Sequence, residues 1–136
     1  MRMENINKIH APLDSSKKSV YPKIVDKHNR SFNYLRLAVN EYCNLRCIYC
    51  MPEEGLPFRN KNELLSTKEI KKLIKISGQL GVSKIRFTGG EPLLRKDISE
   101  LVKYAVNLNG IKSVNLTTNG ILLNKYLEDL QLAGLS

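Results

Sequence analysis

The run Asn33-Tyr34-Leu35-Arg36-Leu37-Ala38-Val39-Asn40, followed after Glu41 and Tyr42 by Cys43-Asn44-Leu45-Arg46-Cys47-Ile48-Tyr49-Cys50, decides how this chain folds. Leu35, Leu37 and Val39 alternate with Tyr34, Arg36 and Ala38, the period of two that marks a β-strand with one buried face. The strand leads straight into a loop that holds all three cysteines, at x3 and x2 spacing. The loop therefore sits at the strand's C-terminal end, where α/β folds place their chemistry.

Outward from that strand the same unit recurs. Met51 to Leu65 is irregular, with Pro52, Gly55 and Pro57 as breakers. Ser66-Thr67-Lys68-Glu69 reads as a capping box, followed by Ile70, Leu73, Ile74, Ser77 and Leu80 at helical spacing and by Gly81 as a stop. Val82 to Thr88 is a second strand, with Ile85 and Phe87 opposite Lys84, Arg86 and Thr88. Gly89-Gly90 follows it, and either a tight turn or a close backbone approach accounts for two adjacent glycines. Asp97-Ile98-Ser99-Glu100 opens a second helix, whose buried stripe is Ile98, Leu101, Val102, Ala105 and Leu108, with a stop at Asn109-Gly110. Ile111 to Thr117 is a third strand, Thr118-Asn119-Gly120 a turn, and a last helix runs from Asn124 through Leu127, Leu130 and Ala133 to Gly134. Three successive β-loop-α units predict parallel strands, the opening portion of a (β/α) barrel.

The cysteines carry the chemistry. A four-iron cubane takes four thiolates, so a loop with three leaves one iron open to a small chelating ligand. Zinc is the alternative, but a structural zinc site is tetrahedral, and His10 and His28, the only histidines, lack ligand spacing. An odd cysteine count without a secretory signal argues for reduced, metal-binding thiols rather than disulfides. If the leucines face the helices, then Arg36, Arg86 and Thr117 converge on the opposite face. Guanidinium groups there match phosphates and carbonyls bidentately, and their alternative is internal pairing with Glu41, Glu91 or Asp97.

With 136 residues, 42% hydrophobic and 26% charged, the chain is one ordinary globular domain at most. The formal charge of +9 suggests an anionic partner. The lysines are scattered and not interleaved with aromatics, which favours a nucleotide over nucleic acid. No stretch reaches the roughly 18 apolar residues of a membrane span. Met1 to His10 has no apolar signal core, so a cytoplasmic chain is expected. Residues 1–32 read as a polar leader carrying Pro12 and Pro22, in which Val20, Tyr21, Ile24 and Val25 are candidates for a short edge strand.

The cysteine triplet followed by Thr88-Gly89-Gly90-Glu91-Pro92 resembles the radical S-adenosylmethionine (SAM) superfamily. Within it, Cys47-Ile-Tyr-Cys50-Met51-Pro52-Glu53-Glu54-Gly55, Lys84-Ile-Arg86-Phe-Thr88-Gly-Gly-Glu-Pro92-Leu-Leu-Arg95-Lys-Asp97 and Leu116-Thr117-Thr118-Asn119-Gly120 resemble the GTP 3′,8-cyclases that open molybdenum-cofactor biosynthesis. The resemblance runs from about Leu35 to the C-terminus. It implies that Cys43, Cys47 and Cys50 hold a [4Fe-4S] cluster whose open iron takes the amino and carboxylate groups of SAM. It places Tyr49 beside the adenosine, Gly90 beside the SAM amino group, and Arg36, Arg86 and Thr117 against GTP. The implied reaction is reductive cleavage of SAM to a 5′-deoxyadenosyl radical, abstraction of the ribose 3′-hydrogen and closure onto C8 of guanine, a lyase reaction fed by an external electron donor.

The resemblance also shows a departure, since these cyclases usually carry Thr-Asp-Arg where this chain has Asn40-Glu41-Tyr42. Their later strands and a second, C-terminal cluster have no counterpart in this sequence. Residues 33–136 are accordingly expected to form a partial radical SAM barrel truncated at the C-terminus. Such a piece would hold one cluster without turning over GTP alone, and a partner chain or second copy would complete the barrel. The other readings from sequence are a radical SAM enzyme acting on a peptide or coenzyme, and a non-catalytic metal-binding module.

Overall fold

The computed structural model describes residues 23–50, 52, 54 and 63–135. His10, the leader positions Val20 and Tyr21, and Met51, Glu53, Gly55 and Pro57 lie outside them. The element order is β1 (Tyr34–Ala38), α1 (Thr67–Gln79), β2 (Lys84–Thr88), a 3₁₀ turn (Pro92–Leu94), α2 (Ile98–Val106), β3 (Ser113–Leu116) and α3 (Leu123–Leu132). The three strands form one parallel sheet in the order β1-β2-β3, with Arg36 opposite Arg86 and Arg86 opposite Asn115. This is the α/β arrangement of the first three units of a (β/α) barrel, as the alternation and the loop positions predict.

The two faces of the sheet differ as their side chains require. Ile85 and Phe87 are fully buried, Val39 and Val114 nearly so, and Leu35, Leu37 and Leu116 pack against the same core. The helices cover this face through Ile70 and Ile74 of α1, Ile98, Leu101, Val102 and Ala105 of α2, and Leu130 of α3. Helix α2 packs against both α1 and α3. On the other face Tyr34, Arg36 and Lys84 are exposed. No helix among the described residues is long and apolar enough to cross a membrane.

The capping box of α1 forms as expected: Glu69 N donates to Ser66 Oγ, and the Glu69 carboxylate accepts from Ser66 N at 2.8 Å. Three details differ from the sequence expectation. Asp97 stands at the N-cap of α2, yet its side chain makes no cap hydrogen bond. Its carboxylate is taken instead by Arg95 and Thr67. Helix α2 ends at Val106, three residues ahead of Asn109, because Asn107 caps it by returning its Nδ2 to Lys103 O at 2.8 Å. Leu73 and Leu127, counted into buried stripes, are 40% and 44% exposed, so each helix buries a narrower face than its periodicity suggests.

Before β1, Val25 pairs with Ser31 in an isolated antiparallel bridge closed by a turn at Asp26. This small hairpin hangs from Leu80 through Ile24 N and does not join the parallel sheet, so Ile24 and Val25 do not form the edge strand considered for the leader.

Candidate cluster and nucleotide site

Three loops leave the C-terminal ends of the three strands, and one buried carboxylate ties two of them together. The ladder continues past β1 and β2 through Val39 N to Thr88 O at 2.9 Å, and past β3 through Thr117 N to Phe87 O at 3.0 Å. The chain beyond β1 then lies on the chain beyond β2. Gly90 N donates to Asn40 O at 3.1 Å, and Glu91 N donates to Tyr42 O at 2.7 Å. Such contact explains the paired glycines. Gly89 holds a φ of +143°, and a Cβ on it would lie 2.5 Å from Asn40 O. A Cβ on Gly90 would lie 2.5 Å from Tyr42 C and 2.7 Å from Glu41 O. These are backbone atoms that cannot give way, so the cysteine loop can leave β1 on this path only if both positions are glycine.

Because the contacts from Asn40 O and Tyr42 O are main-chain, any residues supply them. The departure at Asn40-Glu41-Tyr42 is thereby accommodated. The Asn40 side chain adds a bond of its own: its Nδ2 donates to Glu91 O at 2.9 Å, while its Oδ1, buried next to Gly89, has no partner among the described residues.

Glu91 is 1% exposed, and the partners of its carboxylate are not arginines. It accepts from Leu93 N at 3.0 Å, Thr118 Oγ1 at 2.7 Å and Asn119 N at 2.8 Å. Three donors on one buried carboxylate satisfy the rule that a buried charge must be hydrogen-bonded. Sequence reasoning treated Glu91 only as one possible arginine partner. An acid wedged between Gly-Gly and Pro was the available signal, since a carboxylate in a turn that tight must be answered by nearby N–H groups.

The cysteine loop stands at this same end. Cys50 N donates to Cys47 O at 2.9 Å, and Leu45 N donates to Cys43 Sγ at 3.4 Å. Cys43 and Cys47 are partly buried and Cys50 is exposed. Ile48 and Tyr49 project from the loop, 100% and 93% exposed. The Cys47 thiolate beside Tyr49 pushes its phenol above the ordinary value, with Cys50 and Cys43 pushing the same way. Among the described residues, no three Cys, His, Asp or Glu side chains are gathered closely enough to hold a metal ion as they stand. Metal binding is what draws such ligands together. His28 sits in the hairpin before β1, away from the strand end that carries the cysteines, so among the described residues it does not join the three thiols of the loop.

On the open face of the sheet, Arg86 Nε donates to Tyr34 Oη at 2.7 Å and Arg86 Nη1 reaches Thr117 Oγ1 at 3.4 Å. Arg36 is exposed beside Arg86 and makes no hydrogen bond or ion pair among the described residues. Of the carboxylates weighed as internal partners, Glu91 is committed as above and Asp97 to Arg95 and Thr67. Partial burial pushes the Asp97 carboxyl up, but the bonds from Arg95 and Thr67 and the Arg95 charge outweigh it and hold the group below its usual value. Arg95 also donates through Nη1 to Val39 O and Leu65 O, each at 2.9 Å, pinning the end of β1 to the start of α1. Sequence reasoning missed this role, for which the Arg-x-Asp spacing was the only signal.

The model of the radical SAM superfamily matches residues 37–136. The chain belongs to that superfamily. A [4Fe-4S] cluster and SAM are the cofactors this membership brings, and the loop with its three thiols, two partly buried and one exposed, fits the cluster by its chemistry. The orphaned acceptor on Asn40 beside the glycines fits an ammonium donor such as the one SAM carries.

Among its relatives, a GTP 3′,8-cyclase of Clostridium botulinum (strain Hall) is 49% identical over 112 residues, 82% of this chain and 35% of that protein. One from Thermodesulfovibrio yellowstonii is 50% identical over 111 residues, 81% of this chain and 34% of that protein. Molybdenum cofactor biosynthesis protein 1 of Dictyostelium discoideum is 47% identical over 83% of this chain and 18% of its own length. The radical SAM chain thus spans about a third of the length of the bacterial cyclases it matches. Among solved structures, BtrN in complex with AdoMet and 2-DOIA superposes with a TM-score of 0.64 at 27% identity, over 78% of this chain and 44% of that one.

Proposed function

We propose that this chain is the cluster-binding end of a GTP 3′,8-cyclase, a radical lyase acting in molybdenum-cofactor biosynthesis. The observation that carries the reading is the open sheet face beside the cysteine loop. There Arg36 and Arg86 stand opposite each other in register, with Thr117 at the edge of the pair. The similarity to GTP 3′,8-cyclases, at about half identity over four fifths of the chain, supports the same substrate.

In this proposal Cys43, Cys47 and Cys50 hold the [4Fe-4S] cluster, and SAM binds with its methionine end along Gly89-Gly90 and its adenosine beside Tyr49. When bound, the two together supply the one-electron chemistry that opens a ribose C–H bond, the electron coming from an external donor. The chain's own part is to bind and orient. Arg36 presents its guanidinium to the phosphates or guanine carbonyl of GTP, and Arg86, its Nε already taken by Tyr34, offers its outer edge. Thr117 gives its hydroxyl to the same ligand. Residues 33–136 form the partial barrel, and residues 1–32 form a separate leader, a division supported by the hairpin at Val25–Ser31 standing outside the sheet. A cytoplasmic setting suits the reduced thiols.

The test is GTP binding to the anaerobically reconstituted protein by equilibrium dialysis. Hydrogen bonds to a charged group contribute about 1.5–3 kcal/mol. Arg36→Ala and Arg86→Ala should therefore each weaken GTP binding by roughly tenfold or more, with the cluster's spectrum unchanged. GTP binding unaltered in both variants would remove GTP as the ligand of this face.

A further inference from the structure

The Asn119 side chain leaves the β3 loop and reaches the cysteine loop. Its Nδ2 donates to Asn44 Oδ1 at 2.8 Å and points at Cys43 Sγ at 4.0 Å, the outer limit of an N–H to sulfur contact. The direction of the amide is fixed from the other side, because Asn119 Oδ1 accepts from Ile121 N at 3.0 Å. With the oxygen held in its own turn, the amino group has to face the cysteines. The backbone beneath it is anchored in turn: Asn119 N and Thr118 Oγ1 both donate to the buried Glu91. A continuous path of hydrogen bonds therefore runs from Glu91, inside the Gly-Gly-Glu-Pro motif, through Asn119 to the first cysteine. Cys43 Sγ already takes one N–H from Leu45.

We propose that Asn119 is a positioning residue for Cys43. It clamps the cysteine loop to the end of β3 through Asn44 and gives the Cys43 sulfur a second N–H. This inference rests on the reading that Cys43, Cys47 and Cys50 bind the cluster. Donors aimed at a ligating sulfur stabilise the more negative, reduced state and raise the reduction potential, and partners behind a ligand set its affinity for the metal. The clamp fixes which side of Cys43 is open, so it acts on the redox properties of the site as well as on its retention.

The experiment compares the 136-residue wild type with Asn119→Asp, Asn119→Ala and Asn44→Ala, reconstituted anaerobically with iron and sulfide. Two quantities are read: the midpoint potential, by redox titration followed by electron paramagnetic resonance, and the rate of iron loss to a chelator. Asn119→Asp keeps the acceptor for Ile121 N and replaces only the donor. It should move the potential to more negative values and speed iron loss on the order of tenfold. Asn119→Ala should do the same to a smaller extent, since it adds no charge. Asn44→Ala breaks the clamp from the cysteine side without touching β3, so it should speed iron loss even if the Asn119 variants fold poorly by circular dichroism. A loaded wild type whose potential matches that of Asn119→Asp overturns the proposal and leaves the cluster reading intact. Faster iron loss at an unchanged potential reduces Asn119 to a tether and overturns the claim about the sulfur. A wild type that takes up no cluster overturns the cluster reading, and this inference with it.

Discussion

Tyr34 Oη accepts the Nε hydrogen of Arg86 at 2.7 Å, a diagonal contact between β1 and β2, since Tyr34 stands opposite Lys84 in the register. The bond turns a flexible guanidinium into a fixed one and leaves its outer edge for a ligand. Tyr34→Phe keeps the ring and its cross-strand packing and removes only the acceptor. On the proposed GTP reading, affinity should fall by roughly twofold to tenfold, the worth of about 0.5–1.5 kcal/mol, while the unfolding midpoint in urea stays where it was. Equal affinity in both proteins would show that Arg86 is placed by something other than Tyr34.

Glu91 is itself buried and answers three donors, one in a buried bond and two in part-buried ones, so removing its oxygens takes that partner from Leu93 N, Asn119 N and the Thr118 hydroxyl together. Leaving buried donors unsatisfied costs about 1–3 kcal/mol for each group in the worst case. Glu91→Ala should therefore lose several kcal/mol of unfolding free energy in denaturant titrations. Glu91→Gln, which turns an amino group toward one of the donors, should lose about 1–3 kcal/mol. Stability within a few tenths of the wild type in Glu91→Gln would mean that the charge is unimportant and shape alone matters.

At Gly90 the obstacle to a side chain is the backbone of Glu41 and Tyr42, the two residues ahead of the first cysteine. Gly90→Ala must push that backbone off the loop or break the bond from Glu91 N to Tyr42 O. Iron incorporation on anaerobic reconstitution should drop to a small fraction of the wild-type value, with the helical signal in circular dichroism largely kept. Normal incorporation by Gly90→Ala would show that the strand ends can separate without disturbing the cysteines.

Asp97 links α1 to α2 through Thr67 and lies against Arg95, and its carboxyl titrates below the ordinary 3.8. A depressed folded-state value means that the stabilisation is complete above the unfolded value near pH 4 and disappears as pH falls through the lower folded one. Asp97→Asn should therefore be less stable than the wild type at pH 6 to 7, and the gap should narrow below about pH 4. Thermal unfolding of both proteins from pH 3 to 7 measures it, and a gap that stays constant across that range would contradict the assignment.

How much of this was legible in the sequence depends on the kind of contact. Alternation at Leu35, Leu37 and Val39, and the helical stripes at Ile70 and Ile98, disclose strands, helices and their order because burial imposes a period on each. The capping box at Ser66 is local, four residues acting on one another, and so it too could be read directly. The roles of Glu91, Asn119 and Arg95 were not legible, because their partners lie 27, 75 and 56 residues away. No periodicity encodes such a contact. Asp97 shows the converse: its position suits a cap, but Arg95 and Thr67 compete for the same oxygens and win, since a guanidinium fork binds a carboxylate more strongly than a single backbone N–H does. The glycine pair is compatible in sequence with either a tight turn or a close approach, and the fold decides for the approach, the group being the chain's own backbone at Asn40 to Tyr42.

In the proposed function, the Cys43, Cys47, Cys50 loop holds a cubane with one iron open to SAM. The most direct measurement is electron paramagnetic resonance of the anaerobically reconstituted, reduced chain, recorded with and without SAM. The account predicts a [4Fe-4S] signal whose g-values shift when SAM is added, and the loss of that signal when any one of the three cysteines is changed to alanine. A chain that binds no iron, or a cluster whose spectrum is the same with and without SAM, would contradict it.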